Sequence, residues 1–507
     1  MTRPVSPLLA LLIACAWASP GAQTPPTLRV IGTNDFHGGL EARRDASGRL
    51  WGGAVALAGV IARARAECVA PACYSILVDA GDEFQGQAAS TLARGEPVSE
   101  IFNHIGFDAA ALGNHDLDWG RDVLRARMAQ EHYPVLSANI RASDGKPVGW
   151  IAPDTIIRRG PFVIGVIGVM TLEAQTAIAA TNLAGIEFVD PVPIVDSLSR
   201  QLRRRGANVV IVVAHAGADC SDTARTVCAG EIFDDARRLH GSVDAIVAGH
   251  RHVLLNSRVE GIPVTSARMS GQAIDVIDLM PAAHAARAEV RDVFVDSVHV
   301  DTTVARLVAS ALSAAGPRLN RQIATIAQDM SQHDYGELAV GDLLADGMRA
   351  AGHADFAAMN HGGVRASLRA GAATYASLFE IQPFGNRLVE IRANGAAMRR
   401  YFERMVSAHF PDAFISGARA VVDTTRPPGS RIVSLTLDSR NPLDDRAQYT
   451  IVINDFMATG GDDLAFTDPK AVTRDLGIID LDATVAYLKT LPSPVRAPRA
   501  DRWTFEP

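Results

Sequence analysis

The sequence predicts an α/β protein of two domains, and three observations carry that prediction. The chain has 507 residues, more than one hydrophobic core ordinarily serves. From Thr27 to about Met280, short β-branched apolar runs alternate with amphipathic helical stretches. Beyond that region the pattern changes and then resumes as a second mixed unit. With 48% hydrophobic and 21% charged residues and no low-complexity tract, the composition is that of a folded globular chain. A net charge of −7 argues against a general surface for nucleic-acid polymers or anionic membranes. An anionic substrate must therefore be held by local cations.

The first segment, residues 1–23, is expected to lie outside the fold. Arg3, an apolar run from Pro7 to about Ala18 and small residues before Thr24 have the character of a secretory signal peptide, placing the mature chain in the periplasm or outside the cell. An alternative is a lipid-attachment box at residues 11–15 ending in Cys15, which would make the signal unusually short. No other segment reaches roughly 18 apolar residues, so no transmembrane segment is expected in the mature chain.

The strand candidates follow in order: 28–35, 75–82, 109–116, 161–170, 208–217 and 243–252. Helical stretches at 53–67 and 190–206 lie between them. Strands that are apolar throughout, separated by amphipathic helices, mean sheets covered by helices. Residues 281–322, rich in Ala and charge, read as helical, with 301–322 as a connector between a first domain at 24–300 and a second at 323–507. The mature chain keeps four cysteines, Cys68 and Cys73, Cys220 and Cys228, whose two close pairs suit small-loop disulfides rather than a thiolate metal site.

Chemistry is concentrated where the first-domain strands end. The segment TNDFHG offers Asp35 and His37; DAGD offers Asp82; GNHD offers Asn114; AHAG offers His215; and GHRH offers His250 and His252. Strand carboxyl ends are where α/β folds bind ligands, and these seven oxygen and nitrogen donors suffice for two adjacent divalent ions sharing one carboxylate. A single histidine after a strand is commonplace, but a series of such donors in chain order is not. Asp79 and Asp116, beside these motifs, are expected to hold turns.

Taken together, D-x-H, G-D, G-N-H-D, a later His near Gly and G-H-x-H resemble the motifs of the calcineurin-like metallophosphoesterases. More narrowly, the chain resembles the exported 5′-nucleotidase family. The resemblance implies a four-layer α/β/β/α catalytic domain, followed by a smaller α/β domain that binds substrate. It implies two divalent ions, Zn, Mn or similar, one on Asp35, His37, Asp82 and His252, the other on Asp82, Asn114, His215 and His250. His115 matches the family's catalytic histidine and Asp118 the carboxylate that orients it. The implied reaction is in-line attack on a phosphoric ester by a metal-activated hydroxide.

In the second domain, MNHGGVR resembles the family's N-x-G-G-x-R loop, giving Asn360 at the base edge and Arg365 on phosphate. Phe384 and Phe456 match two aromatics that sandwich a nucleobase, and Asp462 an acid on the ribose hydroxyls. The implied partner is a small nucleotide. Gly336 stands where family members often carry a further phosphate-binding Arg, with His333 or Arg387 as possible replacements. That departure leaves room for a UDP-sugar, a 2′,3′-cyclic nucleotide or another ester. A decayed, merely binding protein is the remaining alternative, against which stand the intact ligand positions. The family also implies rotation of the second domain about the connector, and oligomeric state is left open.

Overall fold

Two six-stranded sheets stack face to face in the first half of the chain. The computed structural model describes residues 25–45, 47–220, 228–317, 319–332, 337–406, 411–438 and 441–506. The segment expected to be a signal peptide, with Cys15, and positions 333 and 336 lie outside the described residues.

The first sheet grows from Thr27–Thr33, which pairs in parallel with Cys73–Asp79 so that Val30 faces Ile76 and Gly32 faces Val78. Ala109–Ala111 and Val135–Leu136 continue it in parallel, while Ala273–Met280 and Ala285–Asp292 close the other edge antiparallel. In the second sheet, Phe162–Met170, Val209–His215, Ala245–Ala248 and Ile262–Ala267 run parallel, flanked by antiparallel Asp154–Arg159 and Leu254–Val259. Val30, Ile76 and Val78 from one sheet and Ile164, Val166, Ile211 and Val213 from the other fill the layer between them. The outer faces are covered by helices. Leu57 and Ile61 of Ala54–Ala66 and Phe102 of Glu96–Ile105 pack on the first sheet; Val195 and Leu202 of Val192–Arg204 pack on the second. The result is an α/β/β/α stack. Its central strands are apolar on both faces because each lies between the other sheet and a helical layer.

The six expected strands and two helices all form, most with trimmed ends, while the strands expected at 28–35 and 75–82 begin earlier, at Thr27 and Cys73. The largest difference is at 109–116, where only Ala109–Ala111 is extended, because Gly113 to Asp118 turn away into the loop that carries the polar side chains. The expectation of helix over 281–322 is corrected in its first part. Ala285–Asp292 is an edge strand whose residues alternate between exposed and half-buried, a period of two that AARAEVRD carries and an Ala-rich composition obscures. The later part does form a helix, Thr302–Ala315, capped by Asp301, whose carboxylate accepts from the Thr303 N–H at 2.8 Å and the Val304 N–H at 3.1 Å. Val304 and Val308 bury that helix in the first core. Disulfides join Cys68 to Cys73 and Cys220 to Cys228.

The second half centres on a five-stranded sheet, in the order Ala413–Ser416, Phe356–Asn360, Gln448–Asn454, Arg387–Asn394 and Val472–Ile479. Helices Ala339–Gly352 and Asp480–Leu488 cover one face through Leu343, Met348 and Leu481. Gly395–Arg404 covers the other through Met398 and Phe402. The two halves touch: Ala88 of the first joins the core of the second, and Arg43 reaches Glu380 at 3.2 Å.

Strand ends can approach one another only where side chains are absent. A Cβ on Gly113 would stand 2.1 Å from the Asp82 backbone nitrogen and 2.2 Å from its carboxylate. Gly113→Ala is therefore expected to destabilise the fold by about 1–3 kcal/mol, the range for overpacking a tight interior. A lowered Tm together with weakened metal retention would be the outcome; an unchanged Tm would show that the two loops separate freely.

Candidate active site

The parallel strands of both sheets end at one edge of the stack, and the candidate ligands leave from those ends. Asp35 and His37 follow Thr33, Asp82 follows Asp79, and Asn114 follows Ala111. His215 is the last residue of its strand, and His250 and His252 follow Ala248. Five of the seven hold a left-handed backbone: Asp35 (φ 49°), His37 (50°), Asp82 (60°), His250 (75°) and His252 (53°). For a residue with a Cβ that conformation costs about 1–2 kcal/mol each, so strain is concentrated at this edge. Hydrogen bonds hold it: the Asp116 carboxylate accepts from the N–H groups of Gly113 at 2.8 Å and Glu83 at 3.0 Å, and Asp79 accepts from the Gly81 N–H at 2.7 Å. Both acids serve turns, as expected.

The outer nitrogens of His37, His215 and His250 are each tied to an oxygen. His37 Nδ1–H donates to the Gln85 carbonyl at 2.8 Å, His215 Nδ1–H to the Ala80 carbonyl at 2.9 Å, and His250 Nε2–H to Glu173 at 2.9 Å. Their inner nitrogens then converge as lone pairs. His37 Nε2 lies 3.0 Å from His252 Nε2 and 3.6 Å from Asp82; His215 Nε2 lies 2.9 Å from Asn114 Oδ1 and 3.2 Å from Asp82; His250 Nδ1 lies 3.1 Å from Asn114 Oδ1. Acceptors facing acceptors repel unless a cation lies between them. Metal–ligand lengths of about 2.1 Å set neighbouring donors about 3.0–3.4 Å apart, close to the 2.9–3.6 Å found here. The donor set fits divalent metal, and Asp35, His37 and His252 on one side and Asp35, Asp82 and His215 on the other each converge.

The electrostatics ask for the same positive charge. Burial raises Asp35 to about 7 and lowers His37 to about 3. At His215 burial acts downward, but Asp82 and Asp35 outweigh it and hold the ring at about 10. In the metal-free cluster a proton thus occupies the place a cation would take.

His115 stands beside this cluster, its ring centroid 5.4 Å from that of His37. Its Nδ1–H donates to Asp118 at 2.9 Å, leaving Nε2 for other partners. Burial lowers the imidazole, yet Asp118 and Asp82 more than offset this and raise it above its ordinary value.

The second domain completes the site. Phe384 stacks on His115 at 5.4 Å between ring centroids, and Arg365 lies 5.8 Å from the Phe384 ring. Asn360, the last residue of its strand, donates to Asp462 at 2.7 Å and accepts from Asn454 at 2.9 Å. A cavity of about 290 Å³ is lined jointly by Asp82, Asn114 and His115 of the first domain and Arg365, Phe384 and Phe456 of the second. Asp118, His250, His252, Asn360 and Asp462 also border it, while Asp35, His37 and His215 lie behind that lining. Arg387 is not in this cavity; it pairs with Asp475 at 2.9 Å.

Residues 28–254 match the calcineurin-like phosphoesterase family, and residues 321–468 match the 5′-nucleotidase C-terminal domain. In this pairing of domains the chain is similar to the 5′-nucleotidases. It is a metal-dependent phosphoester hydrolase. The 5′-nucleotidase precursor of Thermus thermophilus superposes with a TM-score of 0.83 at 26% identity, covering 95% of this chain and all of that one. A snake venom 5′-nucleotidase from Gloydius brevicauda is 26% identical, over 96% of this chain and 90% of its own length. Endonuclease YhcR of Bacillus subtilis is 30% identical over 92% of this chain, which spans only 40% of that longer protein.

Glu173 escaped the sequence reading. It follows the strand Phe162–Met170, the one strand of the six to which no donor was assigned, and that gap was the available signal. One carboxylate oxygen fixes the His250 tautomer and the other binds Arg251 at 2.5 Å. Outer partners of metal-binding histidines typically account for about 10–100-fold in affinity. Glu173→Ala is expected to weaken metal binding within that range, read by competition with a chelating dye; unchanged affinity would remove Glu173 from the site.

Proposed function

We propose that this chain releases phosphate from nucleoside 5′-monophosphates, using two divalent ions. One would be held by Asp35, His37, Asp82 and His252 and the other by Asp82, Asn114, His215 and His250. The observation that carries the reading is one cavity that joins Asp82, Asn114, His250 and His252 to Phe384, Phe456 and Asp462. When bound, such ions supply charge neutralisation at phosphoryl oxygens and a water of lowered pKa.

The chain's own side chains do the rest. Arg365 presents a fork of N–H donors to the phosphate. The aromatic faces of Phe384 and Phe456 accept any nucleobase, since stacking is tolerant of base identity. Asp462, held by Asn360, accepts from ribose hydroxyls. His115, charged through Asp118, donates from Nε2 to an oxygen on which negative charge develops. The family names borne by the Thermus and Gloydius proteins agree with a nucleotide substrate. The two disulfides suit action in an oxidising compartment, outside the cytoplasm.

Phosphate release from AMP, UDP-glucose, a 2′,3′-cyclic nucleotide and p-nitrophenyl phosphate tests the reading, after metal stripping and again with Mn or Zn restored. AMP is expected to be the best substrate, with His115→Ala lowering kcat by about 10²–10⁴-fold. Preference for another ester would keep the site and replace the substrate. A second variant isolates the base pocket. A Cβ on Gly461 would stand 2.3 Å from the Phe456 ring, so Gly461→Ala should displace that ring and raise KM for AMP several-fold. Hydrolysis of p-nitrophenyl phosphate should stay within twofold; an equal loss on both substrates would exclude a base-stacking role.

A further inference from the structure

One phosphate-binding cation is absent from the stretch where the resemblance calls for it. The sequence has no Lys or Arg from His333 to Met348, and Gly336 stands at the position of the further arginine. Arg387 does not replace it, since it lies outside the small cavity and pairs with Asp475 at 2.9 Å.

The first domain brings a guanidinium to the same place. Two arginines border the small cavity: Arg365 of the second domain, and Arg251, which lies between the candidate ligands His250 and His252. A larger cavity, of about 880 Å³, adjoins the ligand cluster at His37 and His252. The residues that border both cavities are Arg251, His252 and Arg365. Two arginines and a candidate metal ligand thus share the junction.

The local structure fixes where Arg251 goes. Its backbone N–H donates to the Gly249 carbonyl at 3.0 Å, in the turn set by the left-handed residues His250 and His252. Its stem lies on the bare backbone of Gly217, where a Cβ would stand 2.5 Å from the Arg251 Cγ. Its Nη2 donates to Glu173 at 2.5 Å, and its Nε lies 3.9 Å from Asp219. The other Glu173 oxygen accepts from His250 at 2.9 Å, so one carboxylate positions both a candidate ligand and this guanidinium. A guanidinium carries five N–H donors in a planar fork, and the Arg251 Nη1 has no partner among the described residues. A planar fork with free donors suits the oxygens of a phosphoryl group.

We propose that Arg251 is a phosphate-binding residue that takes the place of the arginine absent at position 336. Arg251 and Arg365 come from opposite domains and hold the phosphoryl oxygens from two sides, with Glu173 positioning the first. This rests on the reading that the smaller cavity takes the reacting ester.

The test is calorimetric titration of the metal-restored protein with inorganic phosphate and, separately, with adenosine. Arg251→Met should bind phosphate at least tenfold more weakly than the wild type and adenosine within twofold. Its kcat/KM for p-nitrophenyl phosphate should fall at least tenfold, while competition with a chelating dye should find metal affinity within twofold. Arg251→Lys, which keeps the charge without the fork, should recover part of both losses. Arg369→Ser removes an arginine that borders only the larger cavity and should leave phosphate binding within twofold. Unchanged phosphate binding in Arg251→Met would overturn the proposal. So would an equal loss in Arg369→Ser, or a loss of metal or adenosine binding that matches the loss of phosphate. Failure of the wild type to bind adenosine would sink the nucleoside reading alone, and the phosphate comparison would still decide the role of Arg251.

Discussion

Everything at this site depends on one constraint: lone pairs of buried imidazoles and amide oxygens are aimed at each other at about 3 Å. His37 against His252 and His215 against Asn114 are close approaches that need either a proton on the facing nitrogen or a cation between them. The cluster is stable only around positive charge. Carbonyls of Gln85 and Ala80 and the carboxylate of Glu173 fix which nitrogen of His37, His215 and His250 faces inward, so outer partners orient the candidate donors.

Holding that arrangement has a backbone cost, and the fold spreads it over rigid supports. Left-handed residues sit directly after parallel strands whose registers are fixed by buried apolar contacts on both faces. Asp79 and Asp116, at the base of the adjoining loops, absorb the N–H groups the strained turns leave free. Glycine at position 113 lets two loops approach within a distance any side chain would forbid. Strain, close approach and polar satisfaction are one device, which preorganises donors before any ion arrives.

The second domain meets this cluster as a wall with two faces. Phe384 against His115 closes one cavity, small and partly aromatic, and Arg365 stands at the partition. Beyond the partition lies the larger, arginine-rich space, bridged by the pair Arg43 and Glu380. Against a chain of net charge −7, these arginines are a local concentration of positive charge.

Fold class was legible in the sequence because its signals are local. Continuous apolar runs and the 3.6-residue spacing of Val195, Ser199 and Leu202 report which elements form without reference to partners. The candidate donors were legible for the same reason: each lies within a few residues of a strand end, and their types restrict the chemistry. The strand at Ala285–Asp292 was obscured because composition outweighed its weak alternation, and pairing with Ala273–Met280 decided it. Glu173 was marked only by the missing donor after the strand Phe162–Met170, and Gln85 by nothing in its neighbourhood. Their roles arise across gaps of 77 residues to His250 and 48 to His37. The sequence by itself determined which elements form and which residue types gather at strand ends. Only the tertiary structure decided which nitrogen each histidine turns inward, and that two cavities share Arg365, because both follow from distances between segments that the chain order leaves open.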